Sequence, residues 1–494
     1  MPAEFADIQG LLYSGYSNLT QACYLLLRVA NRTAAREWLA NARVTTAAER
    51  GVSNLLQIAL SVDGMRALGV AERIISCFSA EFQSGMAGQE GRSRRLGDVD
   101  ASSPSRWRWG AHGVPDVMVM LAAESGLSSW REQVVSEPFA QAFEIIEELP
   151  TSDMQGREPF GFVDGVSQPQ PDWDGNRRPD TSADLQYGNL IAAGEFLLGY
   201  RNEYDLYTDR PLLDSGSDGA ADLPVAEDDP SRRDLGRNGS YLVFRELHQD
   251  VCGFWRFVAE QTKSLDESIR LAESMVGRRM SGEPLIAGTR RIRGVGESNY
   301  AIGRNGFTYD SDREGLICPF GAHVRRANPR TGDMPGGRQG WIARFNRTLG
   351  FCQSDLQDDL IASSRFHRIL RRGREFGMRI TAEEAVRPDV PDPGSGLHFV
   401  CLNANISRQF EFVQNAWLIS SKFSRLSGES DPLLGNRQPL LPGQPTDGFS
   451  LPQPNGLARR IGEIPQFVTV SGGGYFFLPG VRALRYLAQA PLNC

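Results

Sequence analysis

The sequence predicts an α+β fold made of two similar halves. Residues 9–14 and 55–61 have the apolar patterns of strands, and residues 22–38 between them have the periodicity of an amphipathic helix. A strand and then a helix recur at residues 240–244 and 249–261. This repetition indicates two α+β units of related design.

A polar segment, residues 202–238, separates the two patterns. It is rich in Asp, Pro, Gly and Ser, a composition that cannot bury enough apolar surface to form a core. We therefore predict an N-terminal domain over residues 1–235 and a C-terminal domain over residues 236–494.

Four further segments complete the expected organisation. Residues 117–123 have the composition of a strand, and residues 467–479 predict a strand, a turn and a second strand. Residues 80–106 are polar and predict an irregular surface loop. Residues 427–465 are rich in Pro and Gly, which predicts an insertion that wraps the surface.

The composition excludes several classes of protein. Apolar residues make up 40% and charged residues 23%, as in soluble globular proteins. Non-specific affinity for nucleic acid depends on clustered cations, and the net charge of −7 argues against such a surface. We expect no nucleic-acid partner.

The same sequence favours a cytoplasmic location with no membrane span. No run approaches the roughly 20 apolar residues that cross a bilayer, and the N-terminus lacks the basic and apolar regions of a secretory signal. The seven cysteines are an odd number without a C-x-x-C pair, which fits reduced thiols.

Common catalytic signatures are missing from the sequence. A P-loop needs Gly-Lys, but neither Lys263 nor Lys422 follows a glycine. The five histidines never pair at the short spacing of zinc helices. The segment Gly161-Phe-Val-Asp-Gly165 does not fit the Gly-x-Ser-x-Gly motif of serine hydrolases.

What remains is a lone histidine in the segment Cys318-Pro-Phe-Gly-Ala-His323-Val-Arg-Arg-Ala-Asn-Pro-Arg330. A lone histidine is more often structural than a ligand. Arg325 and Arg326 favour the second role, because nearby positive charge keeps imidazole neutral and arginine pairs with the carboxylates of cofactors. A single axial histidine is what haem requires.

Four ordered motifs give the chain a specific resemblance. Gly161-Phe-Val-Asp-Gly165 matches the G-x-x-D-G motif of the dye-decolourising peroxidases, and residues 321–329 resemble the haem-ligand segment of that family. Residues 366–377 resemble its distal-arginine segment, and residues 396–400 with 408–414 resemble its closing strand and helix. The resemblance implies two ferredoxin-like α+β domains with antiparallel sheets, in which the C-terminal domain holds most of the haem. It also implies haem b as cofactor, hydrogen peroxide as oxidant and bulky organic electron donors.

On one side of the haem, the resemblance implies that His323 is the proximal iron ligand. Glu411 is then the candidate to accept the other ring N–H of His323, and Arg326 is a candidate partner for a haem propionate. The plainer alternatives are that Glu411 is a solvated helix charge and that Arg326 forms a surface salt bridge.

On the opposite side, the resemblance implies that Asp164 moves the peroxide proton and that Arg371 stabilises the developing negative charge. Leu397 and Phe399 are candidates for the apolar wall. The plainer alternatives are an ordinary turn aspartate at Asp164 and simple strand core at Leu397 and Phe399.

Two other functions stay open for the whole chain. A haem carrier or sensor would need His323 but not the combination of Asp164 and Arg371. A haemless protein of the same fold would need none of these three residues.

Overall fold

One antiparallel sheet of nine strands organises the fold. The computed structural model describes residues 3–175, 189–286, 304–309, 311–330, 363–424, 426–439 and 443–489. The strands of the sheet are β1 (Gln21–Val29), β2 (Asn54–Leu60), β3 (Val117–Ala123), β4 (Phe143–Pro150), β5 (Ser240–Gln249), β6 (Leu370–Arg371), β7 (Arg374–Phe376), β8 (Gly396–Asn403) and β9 (Val468–Leu478).

Helices flank this sheet and connect its strands. The α-helices described are Gly10–Tyr13, Arg32–Asn41, Val62–Ala67, Glu72–Ile75, Ala80–Ser84, Glu90–Leu96, Leu127–Val134, Glu137–Ala142, Val251–Glu260, Leu265–Val276, His323–Ala327, Ala382–Ala385 and Val481–Gln489. Two stretches of π-helix, Ser407–Glu411 and Val413–Ile419, follow β8. Three small two-stranded sheets pair Gln170–Asp172 with Leu190–Ala192, Leu212–Asp214 with Arg232–Asp234, and Phe449–Leu451 with Arg459–Ile461.

The strand order confirms the predicted fold class. The sheet runs β6-β8-β5-β9-β2-β3-β1-β4, with β7 also paired to β8. The first half therefore has the order β4-β1-β3-β2, which is the ferredoxin-like arrangement of a β-α-β-β-α-β chain. The second half repeats this order when β6 and β7 are counted as one strand. The halves meet where Phe477 of β9 pairs with Leu60 of β2.

The polar segment at residues 202–238 has more structure than its composition suggests. Leu212–Asp214 pairs with Arg232–Asp234, and buried Arg210 donates to the buried carboxylate of Asp234. The division into domains at residue 235 stays a prediction.

The helix expected at residues 22–38 is wrong in its first part, where the chain forms β1. Leu25 packs into the apolar core on one face of the sheet and Tyr24 into the core on the other. A strand buried on both faces is a continuous apolar run, which periodicity does not distinguish from a buried helix. The helix itself is Arg32–Asn41, and the side chain of Asn31 caps it by accepting the N–H of Ala34.

Residues 9–14 are also not a strand, because Gly10–Tyr13 forms a short helix. The expected strands at residues 55–61, 117–123 and 240–244 are confirmed, although the third continues to Gln249. The expected helix after it is confirmed as Val251–Glu260.

The strand, turn and strand expected at residues 467–479 form the single strand β9, which carries a bulge between Val470 and Gly472. Its three consecutive glycines do not turn the chain. They leave room for neighbouring side chains, since a Cβ at Gly472 would meet the indole of Trp109 at 2.3 Å. Glycine in a strand often marks such a close approach.

The large apolar core lies on the sheet face that carries most of the helices, and a second core covers the other face. The cysteines described, Cys23, Cys77, Cys252, Cys318 and Cys401, are all free thiols. Among the described residues, no helix combines the length and apolar character that crossing a bilayer requires.

We expect Gly472→Ala to lower the free energy of unfolding by about 1–3 kcal/mol, because the added methyl group overpacks the contact with Trp109. Urea unfolding followed by circular dichroism measures this change. Gly462→Ala is the matched control, because a Cβ there meets nothing within 4 Å. Equal losses of stability in the two variants would contradict the close packing of β9.

Candidate active site

A cavity opens between the sheet of the second half and the helices that cover it. Its empty volume, including the open mouth, is about 1800 Å³. Most of its lining is apolar, and the sheet contributes Leu247, Leu397, Phe399, Val468 and Val470. A largely apolar concave site with a few polar groups is typical of cofactor binding.

Five of the seven residues that the sequence singled out line this one cavity. They are Asp164, His323, Arg371, Leu397 and Phe399. Leu397 and Phe399 lie on β8, where alternate side chains point to the cavity face. The structure therefore brings together segments that lie far apart in the chain.

His323 is the first residue of the helix His323–Ala327, and a buried carboxylate holds its ring. Nδ1 of His323 lies 3.0 Å from Oδ2 of Asp431. The other oxygen of Asp431 accepts the backbone N–H groups of Leu433 and Leu434, each at 2.9 Å. With Nδ1 engaged, Nε2 is the ring nitrogen that can bind a ligand.

The charge of Asp431 also shifts the pKa of the His323 ring. Burial alone would lower the pKa of His323, but the Asp431 carboxylate outweighs burial and raises it. Asp431 lies 108 residues from His323, inside the segment expected to wrap the surface. The expectation for that part of the segment is wrong, because Asp431 is fully buried.

The structure corrects the role expected of Glu411. Its carboxylate accepts the phenolic O–H of Tyr475 at 2.9 Å and lies 3.0 Å from Nε of Arg92, so it does not bond His323. The wider π-helical winding turns Phe410 and Val413 of this segment to the cavity and Glu411 away from it. Asp431 makes the contact with Nδ1 of His323 that was expected of Glu411.

The structure also corrects the role expected of Arg326. Its fully buried guanidinium donates to the carbonyl oxygens of Trp417, Leu418, Ser420 and Glu429, and it does not line the cavity. Burial lowers its pKa to about 10. Arg326 therefore ties the end of the π-helix to the segment that carries Asp431.

Other arginines lie at the cavity wall. They are Arg245, Arg278, Arg368 and Arg371. Arg245 is paired with the buried carboxylate of Asp98, which follows the helix Glu90–Leu96. Residues 80–106 are therefore not the irregular surface loop expected, because Leu96, Gly97 and Asp98 line the cavity.

Asp164 and Arg371 form an ion pair at the cavity. Nη1 of Arg371 lies 3.0 Å from Oδ1 of Asp164, and both side chains keep about a third of their surface exposed, at 29% and 33%. The loop that carries Asp164 needs its two glycines, because Gly161 and Gly165 have φ angles of +100° and +76°. This explains the spacing of the G-x-x-D-G motif.

Arg371 is held in place by a residue that the sequence did not single out. Gln168 accepts the backbone N–H of Arg371 and donates to its carbonyl, both at 3.1 Å. Arg372 donates instead to the carbonyl of Leu11 at 2.7 Å, away from the cavity.

The ion pair keeps Asp164 ionised. Burial alone would raise the pKa of Asp164, but Arg371, the backbone N–H of Gly165 and His323 outweigh burial and hold the pKa below its ordinary value. The carboxylate is therefore an available proton acceptor in acid.

A second histidine, His367, also lines the cavity and was not singled out. Its ring stacks on Phe412 with centroids 3.7 Å apart, and its Nδ1–H donates to the carbonyl of Arg408. Burial lowers the pKa of His367 to about 4, so the ring is neutral near physiological pH. His323 differs because a carboxylate, not a carbonyl, holds its Nδ1.

This donor set fits a haem. His323 offers one nitrogen ligand, and the apolar walls suit a porphyrin. Asp164 and Arg371 then provide a base and a fixed positive charge at the same cavity.

Sequence comparison finds relatives over most of the chain. A dye-decolorizing peroxidase of Mycetinis scorodonius is 27% identical over 456 residues, which cover 87% of this chain and 75% of that protein. The multifunctional dye peroxidase DyP2 of Amycolatopsis sp. is 28% identical over 457 residues, which cover 87% of this chain and 82% of that protein. No family model matches the chain.

Structural comparison agrees on the fold. A DyP-type peroxidase of Anabaena sp. superposes with a TM-score of 0.68 at 22% identity, over 98% of this chain and 94% of that one. A fungal DyP-type peroxidase of Auricularia auricula-judae gives a TM-score of 0.72 at 23% identity, over 99% and 100% of the two chains. By sequence over most of its length and by fold, this chain is a relative of the dye-decolourising peroxidases, as its motifs predict.

Proposed function

We propose that this chain is a haem b peroxidase that reduces hydrogen peroxide and oxidises bulky organic donors such as dyes and phenolics. The observation that carries the proposal is that His323, held by Asp431, and the ion pair of Asp164 with Arg371 line one cavity. The relatives named as dye-decolorizing peroxidases support the same reaction class.

Each residue has a distinct task in this proposal. Haem, when bound, supplies an iron that exchanges electrons with peroxide and with the donor. His323 would hold the iron through Nε2, and Asp431, which fixes the ring, would make it a stronger electron donor. Asp164 accepts a proton from peroxide at its carboxylate and returns it to the oxygen that leaves as water. Arg371 offers a preorganised positive charge to the developing negative oxygen.

The ion pair of Asp164 with Arg371 favours a peroxidase over a haem carrier or sensor. A haem carrier needs His323 and apolar walls. It has no use for a proton acceptor, which is what the partly exposed Asp164 carboxylate with its lowered pKa provides at the same cavity. We also propose that the protein acts in the cytoplasm, because an odd number of cysteines without a C-x-x-C pair fits reduced thiols, and that it binds no nucleic acid, because its net charge is −7.

The function is tested by adding haem to the purified protein and assaying dye oxidation with hydrogen peroxide. We expect a Soret band and peroxide-dependent turnover. His323→Ala should abolish stable haem binding, whereas the control His367→Ala should retain it. Normal haem retention and an unchanged spectrum in His323→Ala would show that a residue other than His323 binds the iron.

Asp431→Asn should weaken haem binding by about 10–100-fold, because a partner that orients a metal-bound histidine typically has an effect of this size. Haem titration followed at the Soret band measures the affinity. Glu411→Gln is the control, since Glu411 contacts Tyr475 and Arg92 but not His323. Weaker haem binding in Glu411→Gln but not in Asp431→Asn would show that Glu411, and not Asp431, supports the His323 ring.

Arg371→Ala should slow the reaction with peroxide by at least about 10²-fold, the lower range for loss of one preorganised electrostatic donor. Stopped-flow mixing of the haem-loaded protein with peroxide gives the rate constant. Arg372→Ala is the matched control, because Arg372 donates to Leu11 away from the cavity. A rate constant for Arg371→Ala equal to that of the control would remove Arg371 from the mechanism.

Dye oxidation should be faster at about pH 4–5 than at about pH 7, because reduction of peroxide to water consumes protons. Asp164 remains a base in this acid range, since its lowered pKa keeps it ionised where an ordinary histidine of pKa about 6.5 would be protonated. A carboxyl group with a lowered pKa loses its charge only at still lower pH. Steady-state rates across this range, with the Soret band followed for haem loss, measure the dependence. An optimum near neutrality with haem retained would show that Asp164 is not the base.

A further inference from the structure

A side-chain amide from the loop of Asp164 completes one edge of the large sheet. β6 stands at the end of the strand order, and its Arg371 pairs with Cys401 of the neighbouring β8. On its outer side, the backbone N–H and carbonyl of Arg371 bond to Oε1 and Nε2 of Gln168, both at 3.1 Å. A planar carboxamide that accepts and donates can replace the peptide group of a neighbouring strand. Gln168 therefore attaches the loop to the backbone of Arg371.

The main chain of Gln168 is itself anchored. Its carbonyl oxygen accepts the Nδ2–H groups of Asn189 at 2.8 Å and of Asn305 at 2.9 Å. Fully buried Arg330 donates to Oδ1 of Asn305 at 2.8 Å, and Arg368 of the cavity wall donates to Oδ1 of Asn189 at 2.9 Å. The amide of Gln168 therefore extends from a fixed point.

The chain between Asp164 and Gln168 is short and is held at further points. Gln168 follows Asp164 by four positions. The backbone N–H of Asp164 donates to the carbonyl of Gly156 at 3.1 Å, and Arg278 donates to the hydroxyl of Ser167 at 2.8 Å. The carboxylate of Asp164 and the amide of Gln168 therefore belong to one anchored segment.

The ion pair of Asp164 with Arg371 needs such an anchor. Both side chains are about a third exposed, and solvent weakens the attraction between exposed charges. A long arginine side chain also loses rotamer freedom when it is held in one geometry. Fixing the two backbones beforehand lowers this entropy cost.

We propose that Gln168 is a positioning residue, which holds the backbone of Arg371 at the separation from the Asp164 loop at which guanidinium and carboxylate meet. Gln168 is not among the described residues that line the cavity, so it acts through Arg371. Its effect on catalysis rests on the peroxidase function proposed above, in which Arg371 offers a preorganised charge.

The same geometry controls the charge of Asp164. Burial raises the pKa of Asp164, and the positive charge of Arg371 is the largest effect that opposes burial. His323 also lowers this pKa, and two further carboxyl groups, Glu158 and Glu375, interact with the same carboxylate. Because these three groups are unchanged in a variant of Gln168, a looser Arg371 should raise the pKa of Asp164.

Gln168→Met tests the inference in the protein without haem, because it keeps the length of the side chain and removes both hydrogen bonds. Infrared difference titration follows the carboxyl band of Asp164, which is identified by its loss in Asp164→Asn. The midpoint should rise by about one pH unit, since an adjacent arginine typically lowers a carboxyl pKa by about 1–3. Gln170→Met is the matched control, because this side chain is exposed, and its midpoint should equal that of the wild type.

Stopped-flow mixing of the haem-loaded protein with peroxide gives a second readout. Gln168→Met should lower the rate constant about tenfold, because Arg371 is still present but is less well placed. The acid limb of the pH profile should move up together with the infrared midpoint. A lower rate at every pH with an unmoved acid limb and midpoint would overturn the inference, because it would show that Gln168 only supports the fold.

The background of Arg371→Ala shows whether Gln168 acts through Arg371. In that background Gln168→Met should not move the midpoint of Asp164 further, because the arginine charge is already absent. A further shift of similar size would overturn the inference.

Gln168→Asn is a second variant that keeps a polar amide, and circular dichroism checks the folding of each variant. Its side chain is one carbon shorter and cannot bridge both groups of Arg371, so its midpoint should rise as in Gln168→Met. An unchanged midpoint in both variants would overturn the inference even in an active peroxidase. A wild-type protein that fails to react with peroxide would contradict the proposed function, whereas a raised midpoint in both variants would still support the positioning role.

Discussion

The buried carboxylate of Asp431 is the constraint around which the cavity is built. Removing a charged carboxylate from water costs several kcal/mol of folding free energy, so a buried carboxylate needs hydrogen-bond donors or positive charges around it. His323 and the N–H groups of Leu433 and Leu434 provide them. Arg326 adds a favourable charge and joins the end of the π-helix to the segment of Asp431. The end of the π-helix and the segment of Asp431 are therefore both fixed relative to the histidine.

The sheet provides the opposite side of the same cavity. Because side chains alternate along a strand, β8 directs Leu397 and Phe399 to one face, while the neighbouring edge strand β6 places Arg371 beside them. The first half contributes the loop of Asp164 and the short segment around Asp98. The second half of the chain therefore forms most of the cavity. The ion pair of Asp164 with Arg371 joins the two halves, because Asp164 lies in the first half and Arg371 in the second.

The sequence was most informative where function depends on short motifs. His323, Asp164 and Arg371 stand in such motifs, and the structure brings all three to one cavity. Asp431 was not predictable, because it lies 108 residues from His323 and has no local signature. Glu411 was assigned to this place by the resemblance of its segment, whereas in the π-helical segment its carboxylate contacts Arg92 and Tyr475. Local patterns failed similarly at β1 and β9, where burial on both faces and close aromatic packing outweigh periodicity and turn propensity.

The central claim is that one cavity holds haem between His323 on one side and the pair of Asp164 and Arg371 on the other. A crystal structure of the protein with haem bound tests this claim most directly. The account predicts iron bound to Nε2 of His323, Nδ1 of the same ring bonded to Asp431, and the carboxylate of Asp164 with Arg371 facing the opposite side of the iron. Iron bound to His367, or Asp164 and Arg371 on the same side as the histidine ligand, would contradict it.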